Sequence, residues 1–293
     1  MWGFKYLTST WIHAFEGGNA DATLRKLRRL YDAGYLDRPQ QQRYSQNANY
    51  KHIVYERTEK AALEAKALLP TRRQSAHRSN SYPHELIVDL GFYAPMHLAS
   101  KLDGTLHVHM AKRLMDGDCF MIETKHGPRR LGFPESTRES DDPFNVPMGG
   151  DRAIRFDGTP FLLERNGSFI FVPGIEVDRR TEGLTTRAPK DPTRTTLARH
   201  LDDIMEFFES KKHRSYYGFS MMMVPIITTN ESHTESAMAY VEKKLGKCQY
   251  MLFDTLPDLA LEPHFPKPSA DLFLRPKRRV GYKEFCFDES GFR

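Results

Sequence analysis

The chain has 293 residues, with 43 Lys and Arg against 38 Asp and Glu, and 39% of its residues are hydrophobic. That length supports one large domain or two smaller ones with real cores, and the balance is that of a globular protein rather than a disordered or fibrous one. No apolar run approaches the roughly 20 residues of a membrane helix; the best is MMMVPII at 221–227, so no membrane partner is expected.

The N-terminus MWGFKYLTSTW lacks the basic-then-apolar design of a secretion signal. Cys119, Cys248 and Cys286 are odd in number and far apart, which excludes a fully paired disulfide framework and any CxxC metal knuckle. The expected home is a reducing host-cell cytoplasm. Charge is unevenly spread. Residues 1–70 carry 11 basic against 7 acidic side chains, residues 71–83 carry 3 basic and no acid, residues 84–263 carry 22 against 27, and residues 264–293 carry 7 against 4. Any nucleic-acid contact is therefore expected at the ends rather than the middle.

In chain order, LTSTWIHAF (7–15) predicts a short helix capped by Thr8 or Ser9. GGNA is a turn. Asp21 is the expected cap of a second helix running to about Ala33, with Gly34 in the left-handed closing position. Leu24, Leu27, Leu30 and Tyr31 share its apolar stripe, while Arg25, Lys26, Arg28 and Arg29 take the remaining surface. YLDR and YKHIVYE (50–56) read as two strands around the polar PQQQRYSQNAN, and TEKAALEAKALL as a helix capped by Thr58.

Helix, turn, basic helix, hairpin, helix is the order of a winged helix-turn-helix. On that reading the second helix packs through its leucines and enters a DNA major groove about 12 Å wide. The candidate DNA-binding residues are Arg25, Lys26, Arg28 and Arg29 on the helix, with Arg38, Gln40, Gln41, Gln42, Arg43 and Lys51 on the wing. Arginine pairs bidentately with guanine and glutamine with adenine, so both types suit base reading. The rival is a helical cap with a solvated basic face, or a winged helix that docks protein.

Beyond this, TRRQSAHRSNSYP (71–83) reads as a linker, and GFPESTRESDDPFNVPMGG (132–150) as a long loop. The stretch 263–293, with its prolines and cations, reads as a tail without regular structure. AIRFDGTPFLLE and SFIFVPGIEVD flank Asn166-Gly167, the strongest short hairpin signal. A helix follows, TLARHLDDIMEFFESKK, with Leu197, Leu201, Ile204, Met205 and Phe208 on one face. Then come a buried strand YGFSMMMVPIITT, a helix HTESAMAYVEKKLG and a strand QYMLFD.

The phrase LRKLRRLYDAGYLDRP, followed by NYKHIVYERTEKAALE, resembles the N-terminal part of the replication-relaxation family of plasmids and phages. HELIVDLGFYAPMHLA, FDGTPFLLE and FIFVPGIEVDRRTE resemble that family's later blocks, a histidine-led strand, a Pro-Asp step and an acidic Glu-x-Asp segment. Phe156 stands where the family has proline before the aspartate. The resemblance implies an α+β chain with a winged helix at 1–70, a linker at 71–83, a restriction-endonuclease-like α/β domain at 84–262 and a basic tail at 263–293. It implies a sequence-specific double-stranded DNA-binding protein acting in replication initiation, DNA relaxation or transcriptional control.

Active members of the endonuclease-like fold hold a divalent cation between carboxylates, with a lysine beside the attacking water. Here Asp157, Glu176 and Asp178 take the acid positions, with Mg2+ or Mn2+ on Asp157 and Glu176 if the site is active. Aspartate fills the lysine slot and arginine cannot serve as the base. The expectation is a binding protein rather than an enzyme, with a metal-dependent endonuclease and a module for a host replication or transcription protein as alternatives. A homodimer is a further open state. His107 and His109 share one strand face as a weak zinc pair, Glu123-Thr124-Lys125 matches Glu-x-Lys by letter alone, and Tyr216-Tyr217 reads as a buried aromatic pair.

Overall fold

The structure is a computed structural model that describes residues 4–39, 53–64, 82–117, 119–124, 127–140, 142–150, 152–179, 196–257, 259 and 267–292. The expected wing-tip residues Gln40, Gln41, Gln42, Arg43 and Lys51 lie outside them, as do most of the expected linker and residues 65–70. The chain mixes helix and strand and divides into two compact units, 1–103 with 258–274, and 104–257 with 275–293. Among the described residues, no helix is long and apolar enough to cross a membrane.

In the first unit, β1 (Tyr6–Thr8), α1 (Ser9–Glu16), α2 (Ala20–Asp32), β2 (Leu36–Asp37) and β3 (Val54–Arg57) follow in order. The strands form an antiparallel sheet in the order β1-β3-β2. Thr8 caps α1, its hydroxyl accepting the Trp11 amide. The cap of α2 is Asn19 rather than Asp21: its Oδ1 accepts the amides of Asp21 and Ala22 at 2.9 and 3.2 Å. Gly34, at φ +75°, closes the helix, and the Tyr35 amide reaches back to the Leu30 carbonyl. The Thr58 hydroxyl donates to the Gly34 carbonyl at 2.7 Å and accepts from the Ala61 amide. One side chain thus ties the end of α2 to the start of α3 (Glu59–Glu64).

The expected leucine stripe on α2 is only partly buried. Thr23 and Leu27 point inward, Leu27 at 2% exposure, while Leu24 and Leu30 are 45% and 41% exposed. Leu24 and Leu27 are three residues apart, about 300° around the helix, and α2 buries a narrow stripe rather than a broad one.

HELIVDLGFYAPMHLA, read as a strand-led block, is helical throughout. α4 (Tyr82–Ile87) runs through a π-helical turn (Val88–Tyr93) into α5 (Ala94–Leu102). Leu86, Ile87, Val88 and Leu90 are all fully buried, the pattern of a helix covered on every side. Asp89, in the π-helical turn, is the polar exception. Its Oδ2 accepts the Lys5 and Tyr6 amides at 2.9 and 2.7 Å, which fastens the helix to β1. This contact is why the helix groups with the first unit, although the sequence placed it after a linker at 71–83. The short helix Asp271–Leu274 also belongs here, with Phe273 edge-on to Phe92.

The second unit begins with β4 (Leu106–Met110), the hairpin β5 (Phe120–Thr124) and β6 (Gly127–Leu131), and the hairpin β7 (Asn145–Gly149) and β8 (Arg152–Arg155). The stretch 132–150, expected as loop, therefore contains a strand and a short helix, Glu135–Arg138. β9 (Phe161–Arg165) and β10 (Ser168–Val172) form the expected hairpin, with Asn166 and Gly167 at φ +50° and +77° as its turn demands. β4 pairs with the other edge of β9.

A five-stranded sheet follows in the order β11-β12-β13-β14-β15. β11 (Glu176–Asp178), β12 (Val224–Thr228) and β13 (Cys248–Thr255) are parallel, joined through α6 (Leu197–Glu209) and α8 (Glu231–Leu245). α7 (Lys212–Tyr217) lies between α6 and β12. Buried Leu201, Ile204 and Met205 from α6, Ala237 and Val241 from α8, and Val224, Ile226, Met251 and Phe253 from the strands share one core. Phe207 is buried on α6 where the periodicity favoured Phe208, which is only half-buried.

β14 (Lys277–Val280) pairs antiparallel with β13, and β15 (Tyr282–Phe285) pairs antiparallel with β14 to complete this sheet. The expected basic tail is thus part of the fold. Lys277 is 1% exposed, its ammonium 2.7 Å from Asp254 Oδ2, and Arg275 reaches the same carboxylate at 2.6 and 3.1 Å. A lysine can be buried here because a carboxylate on the neighbouring strand offsets its lost hydration.

Candidate functional site

The candidate residues fall into two groups, the cations of α2 and the acids around β11. On α2, Arg25, Lys26, Arg28 and Arg29 are all exposed. Lys26 reaches Glu16 Oε1 at 3.2 Å, and Arg28 lies 3.9 Å from Asp32. Both pairs are solvent-exposed, so they hold the cations weakly. Hydrogen bonds from Lys26 and then Thr23 keep the Glu16 carboxyl below its usual range. Arg25 and Arg29 take part in no ion pair among the described residues. They are four residues apart, so they lie on one side of the helix about 6 Å from each other. The outer face of α2 is accordingly cationic, with Leu24 and Leu30 beside it.

Arg38, the one expected wing residue among the described residues, follows β2. Its guanidinium lies over the Tyr31 ring, 5.0 Å from the centroid, and its charge reaches Tyr55, whose hydroxyl pKa burial pushes up and Arg38 pulls back down. The arginine braces β2 against α2 and β3. Tyr31, seven residues before Arg38, could have signalled this, since a guanidinium stacks readily on a ring.

Asp157, Glu176 and Asp178 come together at β11. Asp157 bridges Ile175 by a pair of backbone hydrogen bonds, and its Oδ2 accepts the Val177 amide at 3.0 Å. Gly174, at φ +146°, permits this approach: a Cβ there would sit 2.5 Å from the Asp157 carbonyl oxygen. Glu176 and Asp178 flank Val177 and are both buried, as period-two spacing on a strand expects. They do not converge on one point. Glu176 Oε1 is 3.3 Å from His200 Nδ1 on α6, and Asp178 Oδ2 is 2.5 Å from His233 Nε2 on α8. Among the described residues, no three His, Cys, Asp or Glu side chains are grouped to hold a metal ion. His107 and His109 likewise part company: His109 Nε2 lies 2.6 Å from Glu164 Oε2, and the two imidazole centroids are 6.5 Å apart.

Sequence reasoning missed the histidine partners and the polar chain beside them. Thr228 at the end of β12 meets Thr234 on α8 at 2.5 Å, and Thr234 meets Thr255 at the end of β13 at 2.7 Å. The Thr255 hydroxyl donates to Glu231, which also binds Arg278, and those two contacts hold the Glu231 carboxyl below its usual range. The signal was present in Asn230, a strong cap ahead of a helix, but which strand ends lie beside that cap is a tertiary fact. Tyr216 and Tyr217 are a T-shaped pair with centroids 5.0 Å apart, and full burial drives the Tyr217 hydroxyl pKa upward.

Comparison with protein-family models, curated proteins and solved structures finds no match for this chain.

Proposed function

We propose that the first unit is a winged-helix-type module that binds double-stranded DNA through the outer face of α2. On this reading the protein serves replication initiation, DNA relaxation or transcriptional control in a phage or plasmid. One observation carries the reading: Arg25 and Arg29, with no ion-pair partner among the described residues, stand on one exposed side of a helix whose opposite side is anchored by Leu27. The order β1-α1-α2-β2-β3 and the sheet order β1-β3-β2 support it, because they are what a winged helix requires of those elements. A phosphate or a guanine edge would find both guanidinium groups available without first breaking an ion pair to any described residue.

The second unit suits a nuclease-like scaffold. β4, β9 and β10 form an antiparallel sheet, and a helix and a parallel strand follow. Its acids have the contacts of carboxylate–histidine pairs, and no observation of comparable weight favours strand cleavage.

Selection of bound duplexes from a random pool, followed by mobility-shift titration, tests the proposal. Arg25→Ala and Arg29→Ala should each weaken binding by about 1–3 kcal/mol where they touch bases. Affinity should fall steeply with salt as counterions are released. Unchanged affinity in both variants would overturn the assignment of α2.

The exposure of Leu24 and Leu30 favours a second reading, in which the same face holds a host replication or transcription protein. Leu24→Ser with Leu30→Ser separates the two. Duplex affinity within about twofold of the parent supports DNA contact by the arginines alone, whereas loss of a co-purifying, nuclease-resistant partner supports protein docking.

A further inference from the structure

The second unit contains a cavity of about 650 Å³, unrelated to the acids of β11. None of Asp157, Glu176 or Asp178 lines it. Its wall is built from the end of α6, the start of α7, the run before β12, and the chain on either side of β15. The volume falls within the range of roughly 300–1,000 Å³ typical of small-ligand sites.

Three features of the lining are chemically specific. The first is an aromatic ledge. Tyr250 stacks on Phe208 with centroids 3.8 Å apart and planes 12° from parallel, and Phe208 rests on His213 at 4.8 Å. Tyr250 and Phe208 are half-buried, so the stack is fixed from behind and reachable from the cavity. Such a surface accepts any flat ring, and base–aromatic stacking is worth about 1–3 kcal/mol by alanine substitution.

The second is a set of cations. Lys211, Arg214 and Arg279 all line the cavity. Arg279 lies against both Tyr282 and Phe285, 5.5 and 5.6 Å from their centroids, and its Nε donates to the Lys283 carbonyl at 2.7 Å. These contacts fix the plane of the guanidinium and leave its two terminal nitrogens for an anion. Lys211 and Arg214 take part in no side-chain ion pair or hydrogen bond among the described residues.

The third feature is backbone strain. Among the described residues only Asn166 and Lys211 are non-glycine with positive φ. Asn166 sits in a hairpin turn that requires it. Lys211 sits at φ +58° and ψ 17°, ahead of α7, where a glycine would be less strained. A lysine kept in that conformation points to a use for its ammonium.

Glu209 and Glu284 also line the cavity, and they would repel a bare anion. They suit a ligand that carries hydrogen-bond donors as well as negative charge, as the amino-bearing edge of a nucleobase does. We propose that this cavity binds a phosphorylated nucleotide. Its base lies on the Tyr250–Phe208 ledge, Glu209 and Glu284 accept from the base edge, and Lys211, Arg214 and Arg279 hold the phosphate. The nucleotide is either free or the 5′-terminal unit of a DNA strand, since both present the same chemistry. The inference goes beyond duplex binding by α2 and does not depend on it.

Titration calorimetry on the full chain tests this with four probes: dCMP, deoxycytidine, inorganic phosphate, and a short single strand with a 5′-phosphate. The expected result is that dCMP or the phosphorylated strand binds about tenfold or more tightly than deoxycytidine or phosphate alone, as two coupled contacts require. Binding by dCMP assigns the free nucleotide, and binding by the strand alone assigns the strand end. Lys211→Gly is the informative variant, because it removes the ammonium while relieving the backbone. It should weaken nucleotide binding about fivefold or more, as expected for a lost charge-assisted contact, without lowering the urea midpoint. Tyr250→Leu should weaken dCMP and leave phosphate unchanged. Arg25→Ala with Arg29→Ala should leave dCMP binding intact, so failure of either reading is recognised independently. The proposal is overturned if neither dCMP nor the phosphorylated strand binds, or if both bind equally well to Lys211→Gly and Arg214→Met.

Discussion

Replacing Gly218 by alanine tests the packing of the second unit at a single atom. Gly218 ends α7 at φ +78° and ψ 2°, its amide donating to the Arg214 carbonyl at 3.0 Å. An added Cβ would stand 2.4 Å from the Gly132 carbonyl oxygen and 3.5 Å from Pro134 Cδ. The left-handed conformation alone costs alanine about 1–2 kcal/mol. The clash is with backbone rather than a flexible side chain, and relief would have to move Gly132. Next to it, Phe133 packs against Phe171, Tyr217 and Phe219, so that movement would disturb the aromatic core. Overpacking of this kind adds about 1–3 kcal/mol.

Gly246→Ala is the comparison without a clash. It ends α8 at φ +70° and ψ −47° with its amide bonded to Glu242, and a Cβ there meets nothing within 4 Å. Gly246→Ala should therefore cost only the backbone strain of a sparsely populated conformation, about 1–3 kcal/mol, and Gly218→Ala about 2–5 kcal/mol in total. Trp11 is buried in the first unit, so its fluorescence does not report on this change. Urea unfolding followed by circular dichroism, with amide exchange at β12 as a local probe, does. Equal losses for the two variants would refute the close approach of α7 to residue 132.

Other expectations follow from burial and charge. Asp254→Ala should destabilise by about 3–5 kcal/mol because it strands a buried lysine, whereas Lys277→Met should be close to neutral in urea unfolding, since Arg275 still satisfies the carboxylate. Burial lowers the His97 pKa to about 4 from an ordinary 6.5. The unfolded chain therefore binds the extra proton between those values: stability is fully present above pH 6.5 and falls as pH drops toward 4, by up to about 3 kcal/mol. Tryptophan-monitored urea midpoints at pH 7.5 and 4.5 should show that loss in the parent and a smaller one in His97→Leu. Leu27→Ala should cost about 2–4 kcal/mol and Leu24→Ala less than about 0.5 kcal/mol; similar losses would mean that α2 is rotated from the orientation described.

What could be read from the chain alone was whatever is decided within a few residues. Asn166-Gly167 announces its hairpin because only such residues accept two successive positive φ values. Thr8, Gly34 and Thr58 mark helix ends because capping is a contact between near neighbours. The apolar period of 197–209 locates α6, though not which of Phe207 and Phe208 faces inward, since adjacent residues differ by only 100° of helical turn. Where the reading failed, a distant partner decided. Lys277 looks like part of a solvated basic tail until Asp254, on a strand 23 positions earlier, is brought against it. That Arg38 lies over the Tyr31 ring is likewise decided by the approach of β2 to α2. Glu176 and Asp178 share a strand face by their spacing, and it is α6 and α8 that bring a separate histidine to each. Local chemistry fixes backbone conformation, because its energies depend on adjacent atoms. Charge pairing and burial depend on which segments meet, and that is settled only when the whole core closes.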